Sequence, residues 1–242
     1  HLFNDKLFSN TTLVYSDYDY GFKVGAGGNT VSLNSGIYDY NVKQDYNWYL
    51  NQKNTLKFGW QANLHQLKPN EFSFEDSDED GATTKEREAL EGGVYVSNKQ
   101  KVSEKLTLNY GLRLSTFSNI GAYTEKIYDE ADNVTSSTAY GEGAFYKTYI
   151  GIEPRINGTY LLDNTSSIKA SYNRNYQYLH LLSNSNAGTP TDLWIPSSPL
   201  VKPQIADQVA LGYFKNFKDN AYEFSVEGYY KNLLNQVDFE DG

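Results

Sequence analysis

The sequence contains no cysteine, no methionine and only 6 prolines in 242 residues. Without cysteine there is no disulfide framework and no thiol chemistry. Long apolar runs are missing too: nothing approaches the roughly 18 consecutive apolar residues of a transmembrane helix, and no stretch of useful length carries a helical apolar period. Positive charge is in the minority, with 21 Lys and Arg against 30 Asp and Glu and a formal charge of −9. Neutralising phosphates takes a basic patch, so no nucleic-acid partner is expected. The 3 histidines, His1, His65 and His180, have neither metal-ligand spacing nor a partnered nucleophile, and no Gly-rich phosphate loop accompanies them. Glu223 and Glu227 would stand about 13 Å apart along a strand, too far for a glycosidase pair. No enzyme is expected.

What is present is aromatic. The chain holds 22 Tyr, 12 Phe and 3 Trp within an apolar fraction of 39%, below the roughly 45–50% of ordinary soluble domains. Tyrosine has an apolar body and a polar tip, which suits a surface where wet and apolar zones meet. The residues also alternate. Leu56, Phe58, Trp60, Ala62 and Leu64 share one face of a strand, and Lys57, Gly59, Gln61, Asn63 and His65 the other. The same split recurs over 105–117, with Leu106, Leu108, Tyr110, Leu112 and Leu114 against Thr107, Asn109, Gly111, Arg113 and Ser115. It recurs again over 149–162, with Ile150, Ile152, Pro154, Ile156 and Tyr160 against Glu153, Arg155, Asn157 and Thr159. Further runs at 7–20, 38–50, 92–98, 168–172, 209–213 and 222–226 bring the expected count to about nine strands. The predicted fold is all-β, an antiparallel up-and-down meander.

Connections alternate in length. Short turns are predicted at 3–5, 51–54, 102–105, 162–165 and 217–220, and long loops at 21–34, 68–88, 118–147 and 181–204, the first containing GAGG at 25–28. Sorting of short and long connections to opposite ends is the pattern of a transmembrane β-barrel, whose strands show lipid only at every second side chain. The apolar row carries no charge, whereas the other carries Lys57, Arg113, Glu153, Arg155, Lys169, Glu223 and Glu227, which are therefore expected to line the lumen. A soluble carbohydrate-binding β module and a passive porin are the competing readings. An odd strand number cannot close as an antiparallel barrel, and the chain opens at His1 without a signal-type run, so residues 1–242 are expected to be part of a longer barrel.

Several runs resemble a known family. EPRINGTYLLDNTSSIKASYNRNYQYLHLLSNSNAGTPTDLW (153–194), IPSSPLVKPQIADQVALGYFKNFKDNAYEFSVEGYYKNLLNQVDF (195–239), KLTLNYGLRLSTFS (105–118) and LFSNTTLVYSDYDYGF (7–22) look like the barrel of TonB-dependent receptors of the Bacteroidetes type. The resemblance implies a segment of a barrel in the cell outer membrane of a Gram-negative bacterium. It also implies a plug domain outside these residues, and import of a scarce nutrient (siderophore, oligosaccharide, vitamin or peptide) driven by the inner-membrane TonB complex.

Two loops hold candidate sites. Asp76, Asp78, Asp80 and Gly81 match the first half of a Ca²⁺ loop, but Arg87 stands where the twelfth-position Glu is needed. A solvated acidic tip is the simpler reading, with Ca²⁺ as the alternative. The segment 183–204 holds Pro190, Pro196, Pro199 and Pro203, which stiffen it. It reads first as a latch packed on its neighbours and second as a ligand contact, for which Tyr176, Tyr178, Asp192, Trp194 and Lys202 are the candidates.

Overall fold

A computed structural model of the protein describes residues 1–26, 29–74, 86–129, 133–182 and 193–238. Its strands are β1 (Leu2–Asn4), β2 (Leu7–Ala26), β3 (Asn29–Asn51), β4 (Asn54–Phe74), β5 (Arg87–Lys101), β6 (Leu106–Ile120), β7 (Tyr123–Tyr128), β8 (Val134–Tyr140), β9 (Phe145–Leu161), β10 (Ser166–Gln177), β11 (Leu179–Leu182), β12 (Leu193–Pro196), β13 (Gln204–Phe217) and β14 (Tyr222–Leu234). A 10-stranded antiparallel sheet runs β1-β2-β3-β4-β5-β6-β9-β10-β13-β14, while β7 with β8 and β11 with β12 form separate hairpins. The sheet is a meander with edges at β1 and β14 and does not close on itself. Every strand run expected from alternation lies in this sheet, and the short β1 is the addition. No helix among the described residues is long and apolar enough to cross a membrane.

Register keeps like faces together. Leu112 lies between Val96 and Pro154, and Leu114 between Val94 and Ile152, while Arg113 lies between Tyr95 and Glu153. A slip by one residue would exchange the two rows completely. The apolar row faces outward and is uncovered: Val94 is 55% exposed, Ile152 55%, Leu211 60% and Val226 58%. Aromatics border it at both ends, with Trp48, Tyr160 and Tyr213 toward the short turns and Tyr15, Tyr40 and Tyr230 toward the long connections. The opposite, inward face holds the buried residues His65, Ala89, Ser115, Phe117, Asn119 and Glu153.

Side chains that mimic backbone acceptors build the short turns. The Asn4 and Asn51 carboxamides accept hydrogen bonds from the backbone N–H groups of Lys6 and Leu7 and of Lys53 and Asn54, all at 2.9 Å. Ser103 Oγ accepts from the N–H groups of Lys105 and Leu106, and Asp163 from that of Thr165. The β13–β14 turn instead runs through left-handed backbone at Lys218, Asp219 and Asn220, with φ of 47°, 53° and 69°.

Two expectations need correction. The connection 21–34 is not an open loop, because the β2–β3 ladder continues to the pair Ala26–Asn29. Similarly β4 runs on to Phe74 and β5 begins at Arg87, the 118–147 segment contains β7 and β8, and the 181–204 segment contains the end of β11 and all of β12. A ladder is held by backbone hydrogen bonds, so it persists where side chains no longer alternate, and a test that reads only side chains misses it. The outward row is also not free of charge along its whole length. Asp17, Glu88, Arg174 and Asp207 sit on it toward the long connections, and Arg174 grips Asp207 through two hydrogen bonds at 2.8 and 2.9 Å. The charges begin where the apolar band ends.

Leu112→Arg places a cation within that band. If the band meets hydrocarbon, the expected cost is about 2–4 kcal/mol, and heat-modifiable migration on gels should show a marked drop in assembled protein, whereas Arg174→Leu should assemble.

Candidate functional site

The inward face of the wall carries one chain of alternating charge. Asp39 Oδ1 on β3 lies 2.7 Å from His65 Nδ1 on β4, and His65 Nε2 lies 3.7 Å from Glu91 on β5. Arg113 on β6 bridges Glu91 at 3.6 Å and Glu153 of β9 at 3.4 Å. Glu153 meets Arg155 at 3.4 Å, and Arg155 donates to Asn175 of β10 at 2.8 Å. Lys43 pairs with Asp45 at 3.1 Å, and the Tyr95 hydroxyl donates to that same carboxylate. Below this network a cavity of about 410 Å³ is lined by Lys43, Asp45, Tyr95, Arg113, Glu153 and Arg155, among others.

Above it lies a strap. Beyond β10 the chain turns onto the inward face, and Tyr178 stacks on Phe117 with ring centroids 5.1 Å apart and planes at 7°. The Tyr178 and Ser115 hydroxyls share a hydrogen bond of 2.8 Å. The return limb is fastened by backbone acceptors: Asn119 Nδ2 donates to Ser197 O and the Tyr149 hydroxyl to Ser198 O, both at 2.8 Å. Inside the strap, Ser197 N donates to Tyr178 O at 2.7 Å, and His180 Nε2 lies 3.0 Å from Ser197 Oγ. Ala89, Phe117 and Tyr178, with Tyr149, Tyr176 and Leu179 packed around them, form a hydrophobic core between strap and wall. Gly151 permits the close approach: a Cβ there would stand 2.6 Å from Ser115 Oγ and 2.7 Å from the Tyr178 hydroxyl.

The lumen candidates Lys57, Arg113, Glu153, Arg155, Lys169, Glu223 and Glu227 fall in the inward register. Arg113, Glu153 and Arg155 join in one network. Lys169 instead stands over the Phe214 ring at 3.9 Å. Among the ligand candidates, Tyr176 and Tyr178 stack at the root of the strap, centroids 6.2 Å apart, and Tyr178 is 2% exposed. Trp194 lies opposite Leu181 in the β11–β12 hairpin, whereas Lys202 lines a separate depression beside Asn235 and Asp238. Asp192 and the candidate Ca²⁺ residues Asp76, Asp78 and Asp80 lie outside the described residues.

The family model for "TonB dependent receptor-like, beta-barrel" proteins matches residues 1–242. The chain belongs to this TonB-dependent receptor β-barrel family. Solved structures similar to it include a copper transporter, OprC (TM-score 0.65, 13% identity, 96% of this chain and 38% of the other). Another is the ferric-catecholate import receptor Fiu of E. coli (TM-score 0.57, 14% identity, 99% and 40%). A third is the FrpB iron transporter of Neisseria meningitidis (TM-score 0.53, 11% identity, 92% and 36%). The chain thus spans about two fifths of the length of the first two. No curated protein matches in sequence.

Two outcomes test the strap. Gly151→Ala should lift Tyr178, at an overpacking cost of about 1–3 kcal/mol, and speed amide exchange over 178–182 and 193–198 while β6 and β9 stay protected. Burial lowers the pKa of His180 below the ordinary imidazole value, so between the folded and unfolded values the folded strap binds fewer protons. Its stability is therefore full above a pH of about 6.5 and declines below it. Protection factors in these segments, taken relative to the intrinsic exchange rate at each pH, should fall from pH 7.5 to 5.5 in the native protein and less so in His180→Gln.

Proposed function

We propose that this chain is barrel wall of an outer-membrane receptor that imports a scarce nutrient, with its lumen filled by a plug domain and uptake energised by the inner-membrane TonB complex. The observation that carries the reading is the strap. A wall whose inward face is partly covered by its own chain, through Tyr178 on Phe117 and Asn119 on Ser197, is suited to a gated, ligand-responsive passage more than to an open one. The uncharged outward band with its aromatic borders supports contact with outer-membrane lipid.

Cargo classes consistent with the family are siderophores, oligosaccharides, vitamins and peptides, and the proteins similar in fold include a copper transporter and an iron transporter. Tyr176 and Trp194 of the strap region, with Asp192, are the proposed ligand contacts, and Lys202 is a further one in the separate depression. The sequence runs favour a receptor of the Bacteroidetes type, and Asp76, Asp78 and Asp80 offer oxygen ligands that suit Ca²⁺. A passive porin is the second reading. No catalytic role is proposed.

Conductance and uptake of the full-length protein separate these. Purified protein in a planar bilayer should conduct little at rest, and cells expressing it should accumulate at least one of a labelled ferric siderophore, cobalamin, oligosaccharide or oligopeptide in a protonophore-sensitive manner. Steady open-channel conductance with protonophore-insensitive uptake would place the protein among the porins instead.

A further inference from the structure

Although the chain carries a formal charge of −9, folding collects lysines at the short-turn end. Lys6 from the β1–β2 turn, Lys53 from the β3–β4 turn, and Lys99 and Lys101 from the end of β5 line one concavity of about 660 Å³ together with Tyr49 and Thr55. No carboxylate lines it. The nearest acids in sequence, Asp5 and Glu104, stand in the neighbouring turns and outside its lining. These lysines lie far apart in the chain, and only the β2–β3–β4–β5 ladder makes them neighbours.

Register places the concavity on the inward side. Thr55 pairs with Tyr49 and with Lys99, in the same row as the inward pair Lys57–Ser97, and Lys57 continues the positive strip one inward position further along β4. Further up the same wall three cations are matched in place: Lys43 by Asp45, Arg113 by Glu91 and Glu153, Arg155 by Glu153. Among the described residues, Lys6, Lys53, Lys99 and Lys101 take part in no ion pair with a carboxylate. Four like charges around one hollow repel one another, and with no carboxylate in its lining the hollow leaves them available to an external partner.

We propose that this lysine basin is the docking site of an acidic polypeptide segment that enters the lumen from the short-turn end. Phosphate-bearing lipid is the other common anion at such a rim, but lipid would meet the outward row, and Lys99, Lys101 and Thr55 belong to the inward one. A polypeptide can follow the concave surface, place carboxylates against Lys99 and Lys101 and lay apolar atoms on the Tyr49 ring. The proposal rests on the barrel reading above, because it takes the inward face as the lumen.

A photo-crosslinker tests it in the full-length protein in cells. With p-benzoylphenylalanine at Thr55, irradiation followed by mass spectrometry should recover a crosslinked peptide rich in Asp and Glu. The yield should fall about tenfold in the Lys99→Gln/Lys101→Gln variant and by a comparable factor in Lys6→Gln/Lys53→Gln, whose changes lie in exposed turns, as expected for attraction between opposite charges. Crosslinks to phospholipid or lipopolysaccharide, to a peptide without acidic residues, or to nothing would overturn the proposal, as would a yield indifferent to both variants. Heat-modifiable migration of the same samples reports assembly separately. Loss of that signal in the native protein indicts the barrel reading, whereas a normal signal without an acidic crosslink indicts the basin alone.

Discussion

Glu153 is 4% exposed, and a carboxylate so far removed from water is tolerable only among groups that replace its hydration. Arg113 and Arg155 supply that replacement from the same face, each at 3.4 Å. Much of the inward wall follows from satisfying this group. Arg113 also reaches Glu91, which faces His65, which is in turn held by Asp39, so neutralisation passes sideways from β9 to β3. The separations of 3.4 to 3.7 Å are long for strong hydrogen bonds, and Arg113 Nε is buried without one. Removing one member strands its neighbours as buried charge, and the penalty for an unpaired buried group exceeds the net worth of the pair. Such a network fixes sheet register more than it adds stability: a one-residue slip would carry Arg113 and Glu153 to the apolar side.

The same wall inverts the usual arrangement of a half-buried sheet. An antiparallel sheet ordinarily packs its apolar face on a core and shows its polar face to water. Here the apolar face is the uncovered one, and the only apolar nucleus among the described residues, Ala89, Phe117 and Tyr178, sits on the polar side under the strap. The strap is fastened by one aromatic stack and by hydrogen bonds from side chains to backbone carbonyls. Its root at Tyr178 is thus buried with that nucleus, while the return limb at Ser197 and Ser198 is held by single polar contacts.

How much of this was legible in the sequence depends on which atoms carry the signal. Strand identity and facing were readable because Leu106 to Leu114 and Ile150 to Ile156 alternate strictly against polar residues. The extension of β2 and β3 to Ala26 and Asn29 was not, since its pairing is carried by backbone groups that are the same in every residue. In the strap region, the proline-rich latch was visible, and Phe117 was the overlooked sign. An aromatic on the row of Arg113 and Ser115 breaks the polar pattern, and it does so because Tyr178 covers it. Asp39, His65 and Glu91 had no sequence signal, because their spacing reflects hairpin lengths and no local motif. The lysine basin was equally hidden: the composition suggested no basic cluster, and proximity across three hairpins creates one.

The two ends of the sheet therefore answer to different constraints. At the short-turn end Asn4, Asn51, Ser103 and Asp163 lock tight reversals, leaving turn residues such as Lys6 and Lys53 at fixed positions relative to the strands. The turns fix where each lysine leaves the backbone, while its flexible stem leaves the ammonium free to adjust to a partner. At the opposite end, long connections fold back as hairpins, and the β11–β12 strap reaches the wall through contacts that can be broken singly. Tight turns at one end and a strap fastened to the wall at the other are compatible on one sheet because the charge network around Glu153 lies between them and holds the register that both require.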